Sequence, residues 1–415
     1  MISQTRIINN LRHMATLNDT SAPGINRLAF SDADWQGRAF LISLMEEAGL
    51  SVRVDAFGNV IGRREGTDSS LPAVMTGSHG DSVPSGGNYD GVVGILSAIE
   101  VARSMQEDGF ANEHPLEVVL FMCEESSRFS AATLGSRAMC GELTETDLRR
   151  LHDKQGSSLY EVLQQRGLHP EAIATAKYDR PLKAFFEVHI EQGKVLEHTN
   201  TPIGVVTGIA APTRFRVLLH GQADHSGATP MEIRHDSSCA AAEIILLVES
   251  AAQKAAPAPA VGTVGVVKVT PNAMNVIPGE LELGIDLRSI SKETKDALAG
   301  KIKDGIAEIC RRRELPYDIA EISNENPVEI RPEIIKFFDA VCEEAAVSYR
   351  NMPSGAGHDA MHWAEYAPTG MLFIPCKDGI SHNPAELAKD EDIVTVAQLL
   401  ERAVRKATKQ STVFE

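Results

Sequence analysis

The sequence lacks long apolar runs and an excess of positive charge, and each absence excludes a class of protein. No stretch reaches the roughly 18 apolar residues that a membrane-spanning helix requires, and the segment Met1–Thr20 has no apolar core typical of a signal peptide. Lysine and arginine number 40 against 57 aspartates and glutamates, which gives a formal net charge of −17. Because that charge repels phosphate backbones and anionic lipids, we expect neither nucleic acid nor a membrane as a partner.

Paired cysteine motifs and phosphate-binding loops are also missing. The six cysteines are scattered through the 415 residues, and none forms a CxxC pair. Such a set is typical of reduced, buried thiols in a cytoplasmic protein, so we predict that location and no cysteine metal site. The glycine-rich segments have neither the lysine of a phosphate-binding loop nor the GxGxxG spacing of a dinucleotide site.

The hydrophobic pattern predicts two domains, since a chain of this length exceeds what one core usually supports. Apolar runs at 116–123 and 183–190 alternate with helical segments, which indicates an α/β domain with a mainly buried sheet. Over 212–329 the pattern changes to alternating strands and an alanine-rich helix, typical of an α+β domain. Chemistry-bearing residues lie on both sides of that segment. We therefore predict a catalytic domain, formed by 1–211 and 330–415, that is interrupted by an inserted domain.

Acids and histidines cluster where predicted buried strands end, and in α/β sheets ligands bind beyond those ends. Four segments contribute them: His79 to Asp90, Glu124–Glu125, His189 and His382. Each alone has a plainer explanation, such as a helix cap, a solvated strand end or a core histidine. Together, three histidines and two or three carboxylates predict a two-metal site with nitrogen and oxygen ligands. The lack of cysteine ligands fits a catalytic site with an open position.

Side-chain direction within a strand divides the roles further. His79 and Asp81 point to the same side of an extended chain, so Asp81 can orient an imidazole ring. Glu124 and Glu125 are adjacent and point to opposite sides. One of the two can therefore bind a metal ion while the other acts as a general base.

Seven segments in order carry a family resemblance over nearly the whole chain: GSHGDSVPSGGNYDGVVG, EESSRF, EVHIEQGKVLE, GQADHSGATPM, NVIPGELELGIDLRS, SGAGHDA and ISHNPAE. They resemble the carbamoylase/hydantoinase branch of the dinuclear metallo-aminoacylase and carboxypeptidase clan. That branch contains N-carbamoyl-L-amino acid hydrolases, allantoate amidohydrolases and β-ureidopropionases. The resemblance implies a metallo-exopeptidase-like catalytic domain with a mixed sheet, an inserted lid and dimerisation domain, and a homodimer.

The resemblance also implies a ligand set for two divalent metal ions per chain. His79, Asp90 and His189 would hold one ion. Asp90 would bridge to the second ion, which Glu125 and His382 would complete. Imidazole and carboxylate ligands accept Zn, Mn, Co or Ni, so the metal is not specified.

Catalytic and positioning roles follow from the same resemblance. Glu124 would be the general base that takes a proton from water, and Asp81 would orient His79. His225 would contribute to the oxyanion pocket from the partner subunit. Gly80 departs from the family pattern, which often has a larger apolar residue there.

Three further residues would bind the substrate. Asn275 and Arg288 would bind its carboxylate, because the planar fork of arginine pairs with both oxygens. Gln192 would contact the ureido group. His358 and Asp359 of the segment SGAGHDA either line the pocket or brace the loop, and we favour bracing. We expect Arg234 and Asp236 to form a structural ion pair.

The predicted function is metal-dependent hydrolysis of the carbamoyl amide of an N-carbamoyl-L-amino acid or close analogue, with release of ammonia and carbon dioxide. The same machinery could serve an allantoate amidohydrolase, a β-ureidopropionase, or an amidohydrolase of acyl- or peptidyl-amino acids. A non-catalytic binding homologue is a further alternative. That alternative is disfavoured because such proteins usually lose ligands or the base, whereas here all of them are present.

Overall fold

The computed structural model describes residues 1–409 and 414, and the chain forms two compact units. Residues 410–413 and 415, at the end of the predicted catalytic domain, lie outside the described residues. Unit 1 comprises Met1–Thr207, Ile330–Met352 and Gly357–Glu415. Unit 2 comprises Gly208–Glu329 and Pro353–Ala356. Each unit has a hydrophobic core of its own.

Strands and helices alternate through much of the described chain. The strands are β1 Ser51–Val54, β2 Val60–Arg64, β3 Ala73–His79, β4 Leu116–Phe121, β5 Leu182–Ile190, β6 Ile203–Ile209, β7 Ala211–His220, β8 Ala260–Thr270, β9 Glu280–Ser289, β10 Tyr317–Asn324, β11 Val328–Glu329, β12 Tyr349–Ser354 and β13 Thr369–Ile374. The helices are α1 Gln4–Thr16, α2 Asp32–Glu47, α3 Val92–Glu107, α4 Leu134–Cys140, α5 Glu145–Arg150, α6 Leu159–Gln165, α7 Val195–His198, α8 Ser237–Gln253, α9 Lys292–Arg312, α10 Pro332–Glu344, α11 Ala360–Trp363 and α12 Asp390–Lys409.

The sheet of unit 1 has a parallel centre and antiparallel edges. Its strand order is β1-β2-β4-β3-β5-β13-β6, and β12 also pairs with β6. The central strands β4, β3, β5 and β13 run parallel, while β1, β2 and β6 are antiparallel to their neighbours. Every residue of β3, β4 and β13 is buried, as expected for strands covered on both faces. The predicted α/β class with a mainly buried mixed sheet is confirmed.

Helices cover both faces of this sheet, as two neighbouring aromatic residues of β5 show. Successive side chains in a strand point to opposite faces. The ring of Phe185 lies 5.9 Å from that of Trp363 in α11. The ring of Phe186 lies 5.1 Å from that of Phe338 in α10. Apolar residues on both sides thus fix the central strands, whose carboxyl ends carry the polar residues described below.

Unit 2 is an antiparallel sheet packed on two helices, with strand order β10-β7-β9-β8. Strand β9 alternates between buried and partly exposed residues, as expected for a sheet with one covered face. Its buried side chains, Leu281, Leu283, Ile285 and Leu287, share a core with α8 and α9. The even-numbered residues of β9, which include Arg288, therefore lie on the face opposite those helices.

The composition led to two expectations, that no helix spans a membrane and that all six cysteines are buried. No helix within the described residues is long and apolar enough to cross a membrane. All six cysteines are free, and five of them are buried. Cys239 is exposed, so the burial predicted for all six is wrong there. It lies in α8, whose core-facing side is formed by neighbours such as Ala240, Ala241 and Ile244, so residue 239 points outward.

Gly94 allows α3 to approach β5 closely, and this contact can be tested. A Cβ atom at Gly94 would lie 2.2 Å from the carbonyl oxygen of Val188, so Gly94→Ala should force α3 away from the sheet. We expect a loss of roughly 1–3 kcal/mol in the free energy of unfolding, as for other overpacked cores. The matched control is Gly300→Ala, because a Cβ there meets nothing within 4 Å.

In the control, alanine should stabilise helix α9 by about 0.5–1 kcal/mol, since glycine is a poor helix former. Chemical denaturation of both variants measures the two effects. Equal free energies of unfolding for Gly94→Ala and the unchanged protein would contradict the close packing.

Candidate metal centre

The polar residues of unit 1 converge at the carboxyl end of its parallel strands. His79 is the last residue of β3 and pairs in register with Phe121 of β4, three residues before Glu124. His189 lies near the end of β5, beside Phe373 of β13. The chain then leads from β13 to His382. Because parallel strands end at one edge of a sheet, segments far apart in sequence meet there.

Asp90 lies between two groups of these residues. It ends the glycine-rich loop after β3, just before α3. Its Oδ1 atom lies 2.9 Å from Nε2 of His189 and 3.5 Å from Nε2 of His79. Its Oδ2 atom lies 3.1 Å from Nε2 of His382. The two carboxylate oxygens thus face different imidazoles, which is the arrangement a bridging carboxylate requires.

Glu125 completes the second group. Its Oε1 atom lies 3.3 Å from Nε2 of His382. Two sets of possible metal ligands result, His79-Asp90-His189 and Asp90-Glu125-His382, and within each set the ligand atoms lie within 4.8 Å of one another. Asp90 belongs to both sets. The donor chemistry of imidazoles and carboxylates, without sulfur, fits two divalent cations of the Zn, Mn, Co or Ni type.

Glu124 lies beside the first group but outside both sets. It is buried, and its Oε2 atom lies 3.8 Å from Nε2 of His79. Cys123, just before it, has φ 60°, a left-handed conformation that is strained for a residue other than glycine. Beyond this turn, Glu124 lies beside His79 and Glu125 lies beside His382.

Asp81 connects His79 to both glutamates. Nδ1 of His79 lies 3.2 Å from the carbonyl oxygen of Asp81 and 3.5 Å from its Oδ1 atom. The carboxylate of Asp81 also accepts hydrogen bonds from the backbone N–H groups of Glu124, at 3.2 Å, and Glu125, at 3.1 Å. Asp81 therefore lies within reach of the imidazole, and it also holds the turn that carries the two acids.

Burial and mutual attraction shift the pKa values in this centre. Burial raises the pKa of Glu124 well above its usual range, and the neighbouring Glu125 adds to the rise. Burial alone would also raise the pKa of Asp90, but His189, His382 and His79 outweigh it and hold that pKa well below its usual range. Hydrogen bonds with Asp90 and Glu125 raise the pKa of His382 to about 11. These shifts show strong electrostatic coupling among the groups that could bind cations.

Gln192 is the remaining predicted site residue of unit 1. Its Nε2 atom donates to Oδ2 of Asp90 at 2.9 Å and lies 3.4 Å from Nε2 of His382. Because carboxylate oxygens only accept, this contact fixes which end of the amide faces the centre. The buried Oε1 atom of Gln192 has no hydrogen-bond partner among the described residues.

One buried residue at the centre was missed by the sequence reasoning. Glu386 contacts both the Asp90 loop and the His382 loop through hydrogen bonds. The only signal in the sequence is an acid that closes the segment ISHNPAE, four residues after His382. An acid near a proline turn is usually solvated, so that signal alone was too weak to single it out.

Three predicted site residues, His225, Asn275 and Arg288, belong to unit 2. Nδ1 of His225 accepts hydrogen bonds from the backbone N–H groups of Gly227, at 3.1 Å, and Ala228, at 3.2 Å. A neutral imidazole that accepts at Nδ1 carries its proton on Nε2, so His225 presents an N–H donor. Asn275 lies close by, since its carbonyl oxygen accepts from the N–H of Ser226.

Arg288 is held by an acid on its own strand. Its Nε atom donates to Oδ1 of Asp286 at 2.9 Å, and one terminal nitrogen donates to the carbonyl oxygen of Gly355 at 2.9 Å. Asp286 also accepts from Nε of Arg214 at 2.7 Å. The guanidinium group is thereby fixed in direction while further N–H groups stay available.

Two minor expectations have different outcomes. Asp359 accepts a hydrogen bond from Oγ of Ser136 and is fully buried, which agrees with a bracing role for this part of SGAGHDA. The expected ion pair of Arg234 with Asp236 is wrong. Arg234 donates to the carbonyl oxygens of Ser226 and Thr229, while Asp236 caps α8. Backbone acceptors and a helix start satisfy the two groups separately.

The fold and the donor set define a hydrolase of the metallopeptidase type. The sequence model of peptidase family M20/M25/M40 matches residues 75–406, and the chain belongs to this family. Within this family, its relatives include hydantoinase/carbamoylase amidases, and the predicted family resemblance is confirmed. The prediction of an enzyme of the amidohydrolase class is confirmed with it.

Similar proteins cover almost the whole chain. An N-carbamoyl-L-amino-acid amidohydrolase of Pseudomonas sp. (strain NS671) is 40% identical over 408 residues, 98% of each chain. A ureidoglycolate hydrolase of Oryza sativa subsp. japonica is 37% identical over 402 residues, 96% of this chain and 83% of the relative. The crystal structure of an amidase of the hydantoinase/carbamoylase family from Burkholderia multivorans superposes with a TM-score of 0.93 at 36% identity, covering 99% of this chain and 98% of that one.

Proposed function

We propose that this protein hydrolyses the carbamoyl amide of an N-carbamoyl-L-amino acid or close analogue and releases the free amino acid, ammonia and carbon dioxide. The observation that carries the proposal is the Asp90 carboxylate shared by two sets of metal ligands, with the buried acid Glu124 beside them. The 40% identity to an N-carbamoyl-L-amino-acid amidohydrolase supports the substrate class.

We assign two divalent cations to the centre, one to each ligand set. His79, Asp90 and His189 would hold the first, and Asp90, Glu125 and His382 the second. Cations bound there would supply Lewis acidity, which makes water a nucleophile near neutral pH and polarises a carbonyl group. The side chains of the protein would transfer the protons and bind the substrate.

Glu124 moves the protons in this proposal. Its carboxylate takes a proton from the attacking water as the oxygen of that water adds to the ureido carbonyl carbon. The same proton is then given to the departing nitrogen as the carbon–nitrogen bond breaks. Burial and the position of Glu124 beside His79, outside both ligand sets, support this role. Asp81 would keep His79 and the two glutamates in position.

Four residues would bind and polarise the substrate. His225 would donate its Nε2 proton to the developing oxyanion, a role for which its tautomer is already set. Gln192 would contact the ureido group. Asn275 and Arg288 would bind the substrate carboxylate, since a guanidinium pairs with both oxygens.

A second candidate substrate has a specific observation in its favour. The 37% identical relative from Oryza sativa is named a ureidoglycolate hydrolase, so a 2-hydroxy ureido acid is a further candidate. Allantoate and N-carbamoyl-β-alanine present the same ureido and carboxylate groups. Ammonia release from each of these compounds, with an N-acetyl-amino acid assayed for free amine as control, would distinguish them.

We also propose that residues 1–211 and 330–415 form the catalytic domain and that 212–329 form a lid and dimerisation domain. Within unit 2, β8 is an edge strand, and its side chains are mostly exposed. Val261 and Val267 of that strand and Leu246 of α8 are large, apolar and exposed. Unpaired edges and apolar patches of this kind mark association surfaces. We further propose a cytoplasmic location, which the six free cysteines support.

The general-base role predicts the behaviour of Glu124→Gln. This variant should retain both metal ions, since Glu124 belongs to neither ligand set, and should lose turnover of the ureido substrate by a factor of at least about 10²–10⁴. Metal content and ammonia release measure the two properties on one sample. The matched control is Glu125→Gln, which should lose metal. Substantial turnover by metal-loaded Glu124→Gln would exclude Glu124 as the base.

The carboxylate-binding role predicts a change in KM rather than in kcat. Arg288→Ala should raise KM for the ureido acid by roughly 10–100-fold, because charged hydrogen bonds contribute about 1.5–3 kcal/mol. Asp286→Asn should raise KM in the same direction but less, since Asp286 only orients the guanidinium. The control is Glu282→Gln, an acid on the same face of β9 that pairs with Arg216. An unchanged KM in Arg288→Ala would remove Arg288 from substrate binding.

The proposed homodimer should have a mass in solution of twice the 44.8 kDa of one chain. Val267→Asp should reduce that mass to a single chain, because a charge on an exposed edge strand opposes pairing. Light scattering measures both samples. A single-chain mass for the unchanged protein would contradict the proposed dimer.

A further inference from the structure

The carboxylate of Glu386 accepts four hydrogen bonds although the residue is only 5% exposed. Its Oε1 atom accepts from the backbone N–H groups of Tyr89, at 2.9 Å, and Asp90, at 3.1 Å. Its Oε2 atom accepts from Oγ of Ser381, at 2.8 Å, and from the backbone N–H of His382, at 3.3 Å. Oε1 thus binds the loop that precedes α3, and Oε2 binds the loop that follows β13.

The two loops joined in this way carry two of the three ligands of one cation set. Asp90 precedes α3, and His382 follows β13, almost 300 residues later in the chain. Oγ of Ser381 also lies 3.2 Å from Oδ2 of Asp90, the oxygen that faces His382. Nothing in the local sequence of either loop fixes their separation. The Glu386 carboxylate constrains this separation through the backbone of both loops, in addition to the contact between Ser381 and Asp90.

We propose that Glu386 is a positioning residue that sets the distance between Asp90 and His382 and thereby the affinity of the cation held by Asp90, Glu125 and His382. The inference rests on the two-cation site proposed above. The other set contains His79 and His189, which come from strands of the sheet and contact neither oxygen of Glu386. Its cation should depend much less on this residue.

Gly87 supports the proposal from another part of the chain. A Cβ atom there would lie 2.1 Å from the carboxyl carbon and from Oε1 of Glu386. Any side chain at position 87 would therefore displace the carboxylate from the N–H groups of Tyr89 and Asp90. Glycine is needed at this position because the acid occupies the space.

The variant Glu386→Gln distinguishes the hydrogen bonds accepted by Oε1 from those accepted by Oε2. The amide oxygen can still accept from the N–H groups of Tyr89 and Asp90. The amide nitrogen cannot accept from the N–H of His382, so that N–H loses its acceptor while the shape of the side chain is kept. The variant should therefore affect the His382 side and leave Asp90 in place.

The test is calorimetric titration of the chelator-stripped full-length protein with Mn²⁺ alone. In Glu386→Gln one of the two Mn²⁺ equivalents should bind roughly 10–100-fold more weakly, the usual effect of removing a group that orients a ligand. The other equivalent should change little. Gly87→Ala should also weaken Mn²⁺ binding without any change of charge, because its Cβ displaces the carboxylate from the N–H groups of Tyr89 and Asp90.

Two controls match these changes. Glu100→Gln alters another buried acid that accepts from a backbone N–H, that of Ser3, and from Arg6, so it lowers stability away from the centre. Gly80→Ala adds a methyl group near the same loop, where a Cβ meets only Leu41 and Leu120 at 3.4 Å. Both controls should leave the Mn²⁺ titration unchanged.

The outcomes are distinct. An unaltered titration in Glu386→Gln, with two equivalents in the unchanged protein, overturns the positioning role and leaves the proposed function intact. Equal weakening of both equivalents in Glu386→Gln also overturns the role, because it indicates a general loss of structure. Fewer than two equivalents in the unchanged protein contradicts the two-cation site itself and the inference with it.

Discussion

The carboxylate of Asp90 lies between imidazoles on two sides, and the rest of the centre is arranged around that contact. One oxygen faces His79 and His189, and the other faces His382. The acids described near it are all buried: Asp81, Glu124, Glu125 and Glu386. Burying so many carboxylates costs free energy unless positive charge compensates them. Three imidazoles offset part of that cost, and the two divalent cations we propose would offset more.

The fold brings these residues together because the central strands of unit 1 are parallel and end at one edge. Aromatic packing on both faces, such as that of Phe185 and Phe186, fixes the strands and therefore His79 and His189. Asp90 and His382 lie on loops, where packing specifies position less closely. On these loops, hydrogen bonds to buried acids take the place of packing. Asp81 holds the turn that carries Glu124. Glu386 connects the loop of Asp90 to the loop of His382. The first set of possible metal ligands thus depends mainly on the strands, and the second depends largely on buried carboxylates.

The sequence predicted the buried strands, and the residues it singled out as ligands lie within 4.8 Å of one another in two sets, for physical reasons that are local. A run such as 116–123 is apolar on both faces, so its burial follows from composition, and the acids after it must lie at the edge of the sheet. The contacts of Glu386 could not be predicted, because they join segments almost 300 residues apart. The tautomer of His225 and the fixation of Arg288 by Asp286 likewise depend on three-dimensional neighbours. The exposure of Cys239 depends on which face of α8 meets the sheet of unit 2.

The central claim is that Asp90 is shared between two cations, and anomalous diffraction from crystals grown with Mn²⁺ tests it most directly. The account predicts two anomalous peaks separated by roughly 3.5–4 Å, as in other two-metal sites. One peak should lie beside Oδ1 of Asp90 with His79 and His189, and the other beside Oδ2 with Glu125 and His382. A single peak, or two peaks that do not share Asp90, would contradict the account.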